Sequence, residues 1–338
     1  MKGGCIFNSK VMSLCVSFLF AVVCIFSPTA LHASQKKLLL TFGTTSSSSG
    51  YYATLVAYAK LINKYVKGVN ITPIETGATI DNWKRMSRGE IQIAFGATGS
   101  NWQAYYGKGK FEGAPVKDGR LLWVFAPTGF HFIVRADSGV NDIYELEGKR
   151  FDIGIPGSTT AETAQFALRK WGITPKTEMR STADAIEAIK DGRIVGFVKG
   201  CTDPDAAVLS LLATTKLRFL NVTDSMFGKL KQERPFLIKV KVPAGTYPGQ
   251  DYEFSSYGFT VSVVCIGSAI PADIQYKIVK AIYEHYDEFL QGQPRYKLYD
   301  PLRLTVETGI IPLAPGTVKY LREKGYKIQP GSIPPEMK

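Results

Sequence analysis

The chain has 338 residues, 45% hydrophobic and 21% charged, a composition that excludes intrinsic disorder and is long enough for two core-bearing lobes. Its formal charge is +12, but the basic residues stand singly among acids in stretches such as YELEGKR, KQERP and REKGYK. No basic block marks a nucleic-acid surface, and the excess of positive charge favours anionic small molecules only weakly.

Lys2 and Lys10 precede the run VMSLCVSFLFAVVCIFS, then Pro28 and a small-residue site ending at Ala33. Basic, apolar and small in that order predict a cleavable secretory signal peptide over residues 1–33, with a periplasmic mature chain starting near Ser34. A retained membrane anchor is the alternative, because the apolar run approaches the roughly 20 residues that span a bilayer. Cleavage would remove Cys5, Cys15 and Cys24 and leave 39 basic residues against 29 acidic, a charge of +10. Cys201 and Cys265 remain; a disulfide between them is one option, and packing of Cys265 as a small hydrophobe within FTVSVVCIG is the other.

In chain order, LLLTFG reads as a strand running into a serine-rich turn, and Tyr52, Leu55, Ala59, Ile62 and Val66 then fall on one face of an amphipathic helix that Gly68 stops. VNITPIET alternates as a strand, GATIDNWKRMSRGE as a helix, and IQIAFG as the next strand. That order favours a parallel sheet. LLWVFAPTGFHFIVRADS is long enough for two strands with a break at Pro127 to Gly129, where the chain would pass from one lobe to another. The strand, turn and helix order repeats from KRFDIGIPGSTT to IVGFVKG, FSSYGFTVSVVCIG reads as a return strand, and PADIQYKIVKAIYEHYDEFL as one strong helix. The expected division is residues 34–127 in lobe I, 128–254 in lobe II and 255–338 back in lobe I, with a ligand cleft between the lobes.

Four Gly/Ser/Thr-rich turns share one context: GTTSSSSG at 43–50, ETGATIDN at 75–82, FGATGSN at 95–101 and IPGSTTAE at 155–162 each join an apolar strand to an expected helix. At the carboxyl ends of parallel strands such turns line the ligand crevice, and their free N–H groups with the helix dipole favour an anion. Hydroxyls add donors without charge, and small side chains let a ligand approach the backbone. For any one of these turns helix capping by Ser and Thr is the favoured reading, and it is the recurrence of four in one expected cleft that shifts the balance toward ligand contacts.

FGTTSSSSGYYATLVAYAKLINK, ETGATIDNWKRMSRGEIQIAF, AYYGKGKF, VRADSGVNDIYELEGKRFDIGIPGSTTAETAQFAL, KGCTDPDAAVLSLLAT and GTYPGQDYEFSSYGFTVSVVC together resemble the TAXI family of TRAP transporter solute receptors, over essentially the whole mature chain. The resemblance implies an α/β, two-lobed type II periplasmic binding protein fold. It implies capture of a small organic acid or amino acid, anionic or zwitterionic and similar to glutamate or 2-oxoglutarate, and its delivery by a monomeric receptor to an ion-driven TRAP permease. Carried over by position, it implies ligand contacts at Thr44, Ser48, Ser49 and Tyr51, at Thr76, Gly77, Thr79 and Asn82, and at Thr98. In the other lobe it implies Pro156, Gly157, Ser158, Thr159 and Thr160, with Glu162 opposite or capping that turn, and Thr202 and Pro204 near the hinge. The serines of the first turn and Gly96-Ala97-Thr98 depart from the family pattern.

A binding protein for an ATP-driven importer or a sensor shares the same expected fold, and a secreted hydrolase is the rival class. For a hydrolase there is no G-x-S-x-G elbow and no S-x-x-K in a supporting pattern; H-E-x-x-H and an Asp-rich calcium loop are also missing, so no metal or cofactor is expected. His131 in FHFIV reads as a packed or hydrogen-bonded strand residue, and His285 as partly buried on the tail helix. Trp83, Trp102 and Trp123 read as structural, with a place in the cleft as the other option.

Overall fold

The computed structural model describes residues 1, 3, 4, 37–45, 47, 49–154, 156 and 158–338. The expected signal peptide lies outside the described residues, apart from three near the N-terminus, and Ser48 and Gly157 lie outside them too. The compact unit considered below is Leu38–Lys338.

Its first half is β1 (Leu38–Gly43), α1 (Gly50–Tyr65), β2 (Val69–Ile74), α2 (Thr79–Ser87), β3 (Ile93–Ala97) and α3 (Thr98–Tyr106). β1 pairs in parallel with β2, Leu38 opposite Val69, and with β3, Phe42 opposite Ile93. On α1, Leu55, Ala59, Ile62 and Val66 are buried as the periodicity requires, and Tyr52 is half-buried.

β4 (Gly119–Arg135) follows and runs unbroken for 17 residues. The expected break at Pro127 does not occur. Pro127 pairs with Thr260 of β10 (Phe254–Ile266), and on the other edge β4 only begins to pair with β7 (Gly196–Cys201) at Gly129. The missing proline N–H thus falls where β4 changes its neighbour, a position that costs no ladder bond.

The second half repeats the order with β5 (Arg150–Asp152), α4 (Thr159–Trp171), β6 (Lys176–Glu178), α5 (Thr182–Lys190) and β7. It continues with α6 (Ala206–Leu212), β8 (Leu217–Leu220), α7 (Asp224–Lys231) and β9 (Ile238–Val242). β10 then returns antiparallel to β4, from Tyr257 opposite Phe130 to Ile266 opposite Gly119. The sheet has 10 strands in the order β2-β1-β3-β10-β4-β7-β5-β6, with β8 on β4 and β9 on β10. Two long antiparallel strands therefore carry a parallel set at each end.

The expected single tail helix is two, α8 (Ala272–Glu284) and α9 (Tyr286–Gly292). His285 between them leaves helical geometry at φ −116°, ψ 25°, and its half-buried ring stacks on Tyr65 with centroids 3.4 Å apart. α10 (Pro301–Thr308) and α11 (Pro315–Glu323) complete the α-helices among the described residues.

Each half of the sheet is covered on both faces. In the first, Leu55, Tyr58 and Ile62 of α1 meet Ile278, Ile282 and Phe289 on one side, and Trp83, Met86, Val318 and Leu321 cluster on the other. In the second, α4 and α7 supply Phe166, Trp171, Met226 and Leu230 to one core, and α5 and α6 supply Ala185, Ile189, Val208 and Leu211 to the other. Tyr58 stacks on Phe289 at 4.4 Å and meets Trp123 and Phe125 edge-on, pairs worth about 0.5–1.5 kcal/mol each beyond their buried area. Trp83 and Trp123 are fully buried in these cores, as a structural role requires.

Candidate functional site

The turns after β1, β2 and β3 are knitted together by three of the expected contact residues. Asn82 is fully buried and donates to Gly43 O (3.2 Å), Thr44 O (2.9 Å) and Phe95 O (2.9 Å). Thr44 donates its hydroxyl to Ile74 O at 2.6 Å, and Thr76 donates to Thr44 O at 2.9 Å. These side chains hold the carboxyl ends of the strands in register, and their donors are spent on backbone.

Other expected residues sit at helix starts. Ser49 caps α1 by accepting from Tyr51 N at 3.3 Å, while Ser47 N donates to Glu75 at 2.9 Å. Gly77 N donates to Asp81, whose carboxyl Arg85 holds below the ordinary range, and Thr79 opens α2. Ala78, just before it, has φ 68° and ψ −156°; it is the one non-glycine residue at positive φ among the described residues. Such backbone costs about 1–3 kcal/mol and persists where the surroundings enforce it. Thr98 is buried at the start of α3, and its hydroxyl accepts from Thr260 N at 3.1 Å, which ties it to β10.

In the second half, Ser158 caps α4 by accepting from Ala161 N at 3.1 Å. Pro156 and Thr159 are exposed beside it, and the half-buried Thr160 packs against Gly154 and Gly200. A side chain at 200 would collide with the Thr160 hydroxyl and with Phe130, so glycine there lets the turn lie against β7. Glu162 neither caps the turn nor faces it as an isolated acid; it is exposed and pairs with Arg234 at 2.9 Å. Ser158 already satisfies the cap, and Arg234, which also lies 4.0 Å over the Phe166 ring, draws the carboxylate away.

Two contacts join the halves. The Tyr51 hydroxyl lies 2.7 Å from Thr128 Oγ1 and 3.0 Å from Thr202 Oγ1, and Thr202 donates to Pro127 O at 2.8 Å. Burial pushes the Tyr51 phenol up to about 12, so it is a neutral hydroxyl at neutral pH. On the far side, Trp102 of α3 lies 5.8 Å from the Phe236 ring, which rests on Gly99.

Behind Thr202 lies a polar cluster that sequence reasoning missed. Asp203, 4% exposed, accepts from the Tyr247 hydroxyl at 2.6 Å and bonds His131 Nε2 at 3.1 Å. His131 Nδ1 is 2.6 Å from Ser256 Oγ, and Tyr299 donates to Asp203 O at 3.1 Å. Pro204 follows Asp203 across a cis peptide bond. The His131 partners lie 72 and 125 residues away in sequence, beyond any local pattern. Serine, histidine and aspartate in a row suggest a nucleophile, but Ser256, His131 and Asp203 are at most 4% exposed, which leaves a reacting carbonyl no approach.

The same cluster gathers metal-ligating atoms despite the lack of a ligand spacing in sequence: donors from His131, Cys201 and Asp203 lie within 4.8 Å of one another. The imidazole and carboxylate are satisfied by hydrogen bonds to Ser256, Tyr247 and each other, and burial raises the Cys201 thiol well above its ordinary value. Cys201 and Cys265 are both buried and unpaired, so they form no disulfide.

Two solved structures share this architecture. A TctC solute binding protein from Polaromonas is 17% identical, with 76% of this chain and 88% of that chain covered at a TM-score of 0.52. XAC2383 from Xanthomonas citri, bound to ATP, is 12% identical, with 85% and 95% covered at 0.50. The chain thus has the two-lobed α/β fold expected from its sequence. A family model spans residues 42–325, from the end of β1 past α11, and by that match the chain belongs to the NMT1-like family.

Proposed function

We propose that this protein is an extracytoplasmic solute-binding receptor of the TAXI type, which captures a small organic acid or amino acid and hands it to a TRAP permease. Residues 34–127 and 255–338 form one lobe, residues 128–254 the other, and the ligand lies between the turns at 44–51 and 155–162. One observation carries this reading: two long helices, α1 and α4, start from serine-capped turns after β1 and β5, and while Tyr51 of α1 meets Thr202 just beyond β7, Thr160 of α4 lies against Gly200 of the same strand. The first-turn N–H groups of a helix have no intrahelical acceptor, so each turn offers donors to a carboxylate. In this reading Thr44, Thr76, Asn82 and Thr98 shape the cleft from behind, and Ser48, Ser49, Gly77, Thr79 and Pro156–Thr160 face the ligand. Thr202 and Pro204 close the hinge side.

A thermal-shift and calorimetric screen of dicarboxylates and amino acids tests the binding function. A true ligand at about 100 times its dissociation constant adds about 2.7 kcal/mol of stability. Glutamate, 2-oxoglutarate and their analogues all leaving the melting curve unchanged would sink the assignment. Reconstituted uptake then separates transport systems: an ion gradient drives a TRAP permease, whereas a requirement for ATP points to an importer of the other class.

A further inference from the structure

The segment between α7 and β9, QERPFL, is fastened along one face of α4. Glu162, Phe166 and Lys170 stand four residues apart, so they share that face, and each has a partner in the segment. Arg234 donates to Glu162 at 2.9 Å and lies 4.0 Å over the Phe166 ring, Glu233 pairs with Lys170, and Leu237 is buried in the same core as Phe166 and Trp171. Exposed ion pairs hold little by themselves, but the buried leucine and the guanidinium stacked on Phe166 fix the segment in place. It therefore travels with α4 and with the turn before that helix.

Phe236 of this segment is half-buried and reaches the first half of the molecule. A Cβ built on Gly99, the second residue of α3, would lie 3.1 Å from Phe236 Cε2 and 3.4 Å from Cδ2, so the ring takes the space that a side chain would need. Trp102, one turn further along α3, has its ring 5.8 Å from the same phenyl group. Separating the halves would return these apolar faces to water, at a cost that grows with the area exposed. Together with the Tyr51 hydroxyl on Thr128 and Thr202, this contact joins the halves through protein groups alone.

We propose that Phe236 is a latch: seated on Gly99 and Trp102, it keeps the two lobes of the receptor proposed above closed before a ligand binds. This rests on that two-lobed reading and adds to it the step that is held back. Ligand entry waits on release of the latch, and the apparent affinity falls with the fraction of receptor that is open. Because the segment travels with α4, release also carries the turn at 155–162 away from the turns of the first half. Glycine at 99 is part of the fit, since any side chain there meets the ring first.

The test is solution scattering of the ligand-free protein, wild type against Phe236→Ala and Gly99→Val, with the tryptophan emission of each read against Trp102→Phe in the same background. Wild type is expected to be compact, and both variants are expected to show a larger radius of gyration and a red-shifted Trp102 emission. Loss of the aromatic pair alone lowers the ratio of closed to open protein roughly twofold to tenfold. Gly99→Val keeps Phe236 and the core beneath it, so it answers for Phe236→Ala should that variant lose stability. Wild-type scattering and emission in both variants would overturn the latch. So would a wild type that is extended alone and compact only with 2-oxoglutarate or L-glutamate, a result that leaves the binding function intact. Opening of both variants with no response of wild type to either acid would uphold the latch and count against the ligand class instead.

Discussion

The buried cluster around Asp203, at the hinge of the receptor proposed above, and the turns before α1 and α4 are built from the same kinds of residue, hydroxyls and carboxylates beside mainchain donors, yet they stand in opposite states. At the hinge both ring nitrogens of His131 and the Asp203 carboxylate have partners, and the group is buried. At the turns, helix starts keep first-turn N–H groups without intrahelical acceptors, and Thr159 is exposed. The hinge has the more reactive-looking side chains and the turns the blander ones. Saturation and access, not residue type, decide where a ligand can be held.

The largest effect expected from breaking this contrast is at the hinge. Asp203→Ala leaves the Tyr247 hydroxyl and the His131 N–H buried without an acceptor, at a cost of about 3–5 kcal/mol, or roughly 10 °C in melting temperature. A loss under about 1 kcal/mol by chemical denaturation would show the cluster to be loose. Tyr51→Phe removes the hydroxyl that meets Thr128 and Thr202, and is expected to cost roughly 1–3 kcal/mol for the two hydrogen bonds. Solution scattering of that variant should show a more open average shape without ligand, and an unchanged scattering curve would mean that Tyr51 does not bridge the halves.

Smaller effects sharpen the picture. Ala78→Gly relieves a backbone conformation that glycine tolerates and is expected to stabilise the protein by about 1 kcal/mol, checked by urea denaturation. Destabilisation would mean that the Ala78 methyl packs more than its backbone strains. The smallest effect is chemical: burial raises the thiols of both Cys201 and Cys265, so peptide mapping after alkylation at about pH 8 should find both unmodified in the native protein and both modified after unfolding. Native labelling of Cys201 would place solvent inside the hinge.

Much of the fold was legible because it rests on local periodicity. The buried stripe of α1, the parallel order of β1, β2 and β3, and the repeat of that order around β5 and β7 all follow from spacing within a few residues. Two elements were misread for physical reasons. Pro127 signals a break unless it falls where β4 changes partners, and the continuous apolar pattern of the tail conceals that His285 leaves the helix to stack on Tyr65. At the candidate site the turns were visible as Gly/Ser/Thr-rich strand ends. What could not be seen is which hydroxyls are already spent, as those of Thr44 and Thr76 are on backbone carbonyls. The His131 cluster depends on chain crossings that no local pattern encodes, such as the 125 residues between His131 and Ser256.

The most direct test sets one turn variant against one hinge variant with a single acid. Thr159 is the first residue of α4, a position where proline fits the helix, and Ser158 before it is already extended at φ −77°, ψ 155°. Thr159→Pro therefore removes a donor from the turn with little cost to the fold, while Ser256→Ala removes a partner of His131 and a donor to Phe130 O. Calorimetric titration with whichever of glutamate or 2-oxoglutarate binds wild type is expected to show Thr159→Pro weakened about tenfold to a hundredfold, Thr159→Ser nearly unchanged and Ser256→Ala unchanged. Wild-type affinity in Thr159→Pro together with lost affinity in Ser256→Ala would contradict the account and move the ligand from the turns to the hinge.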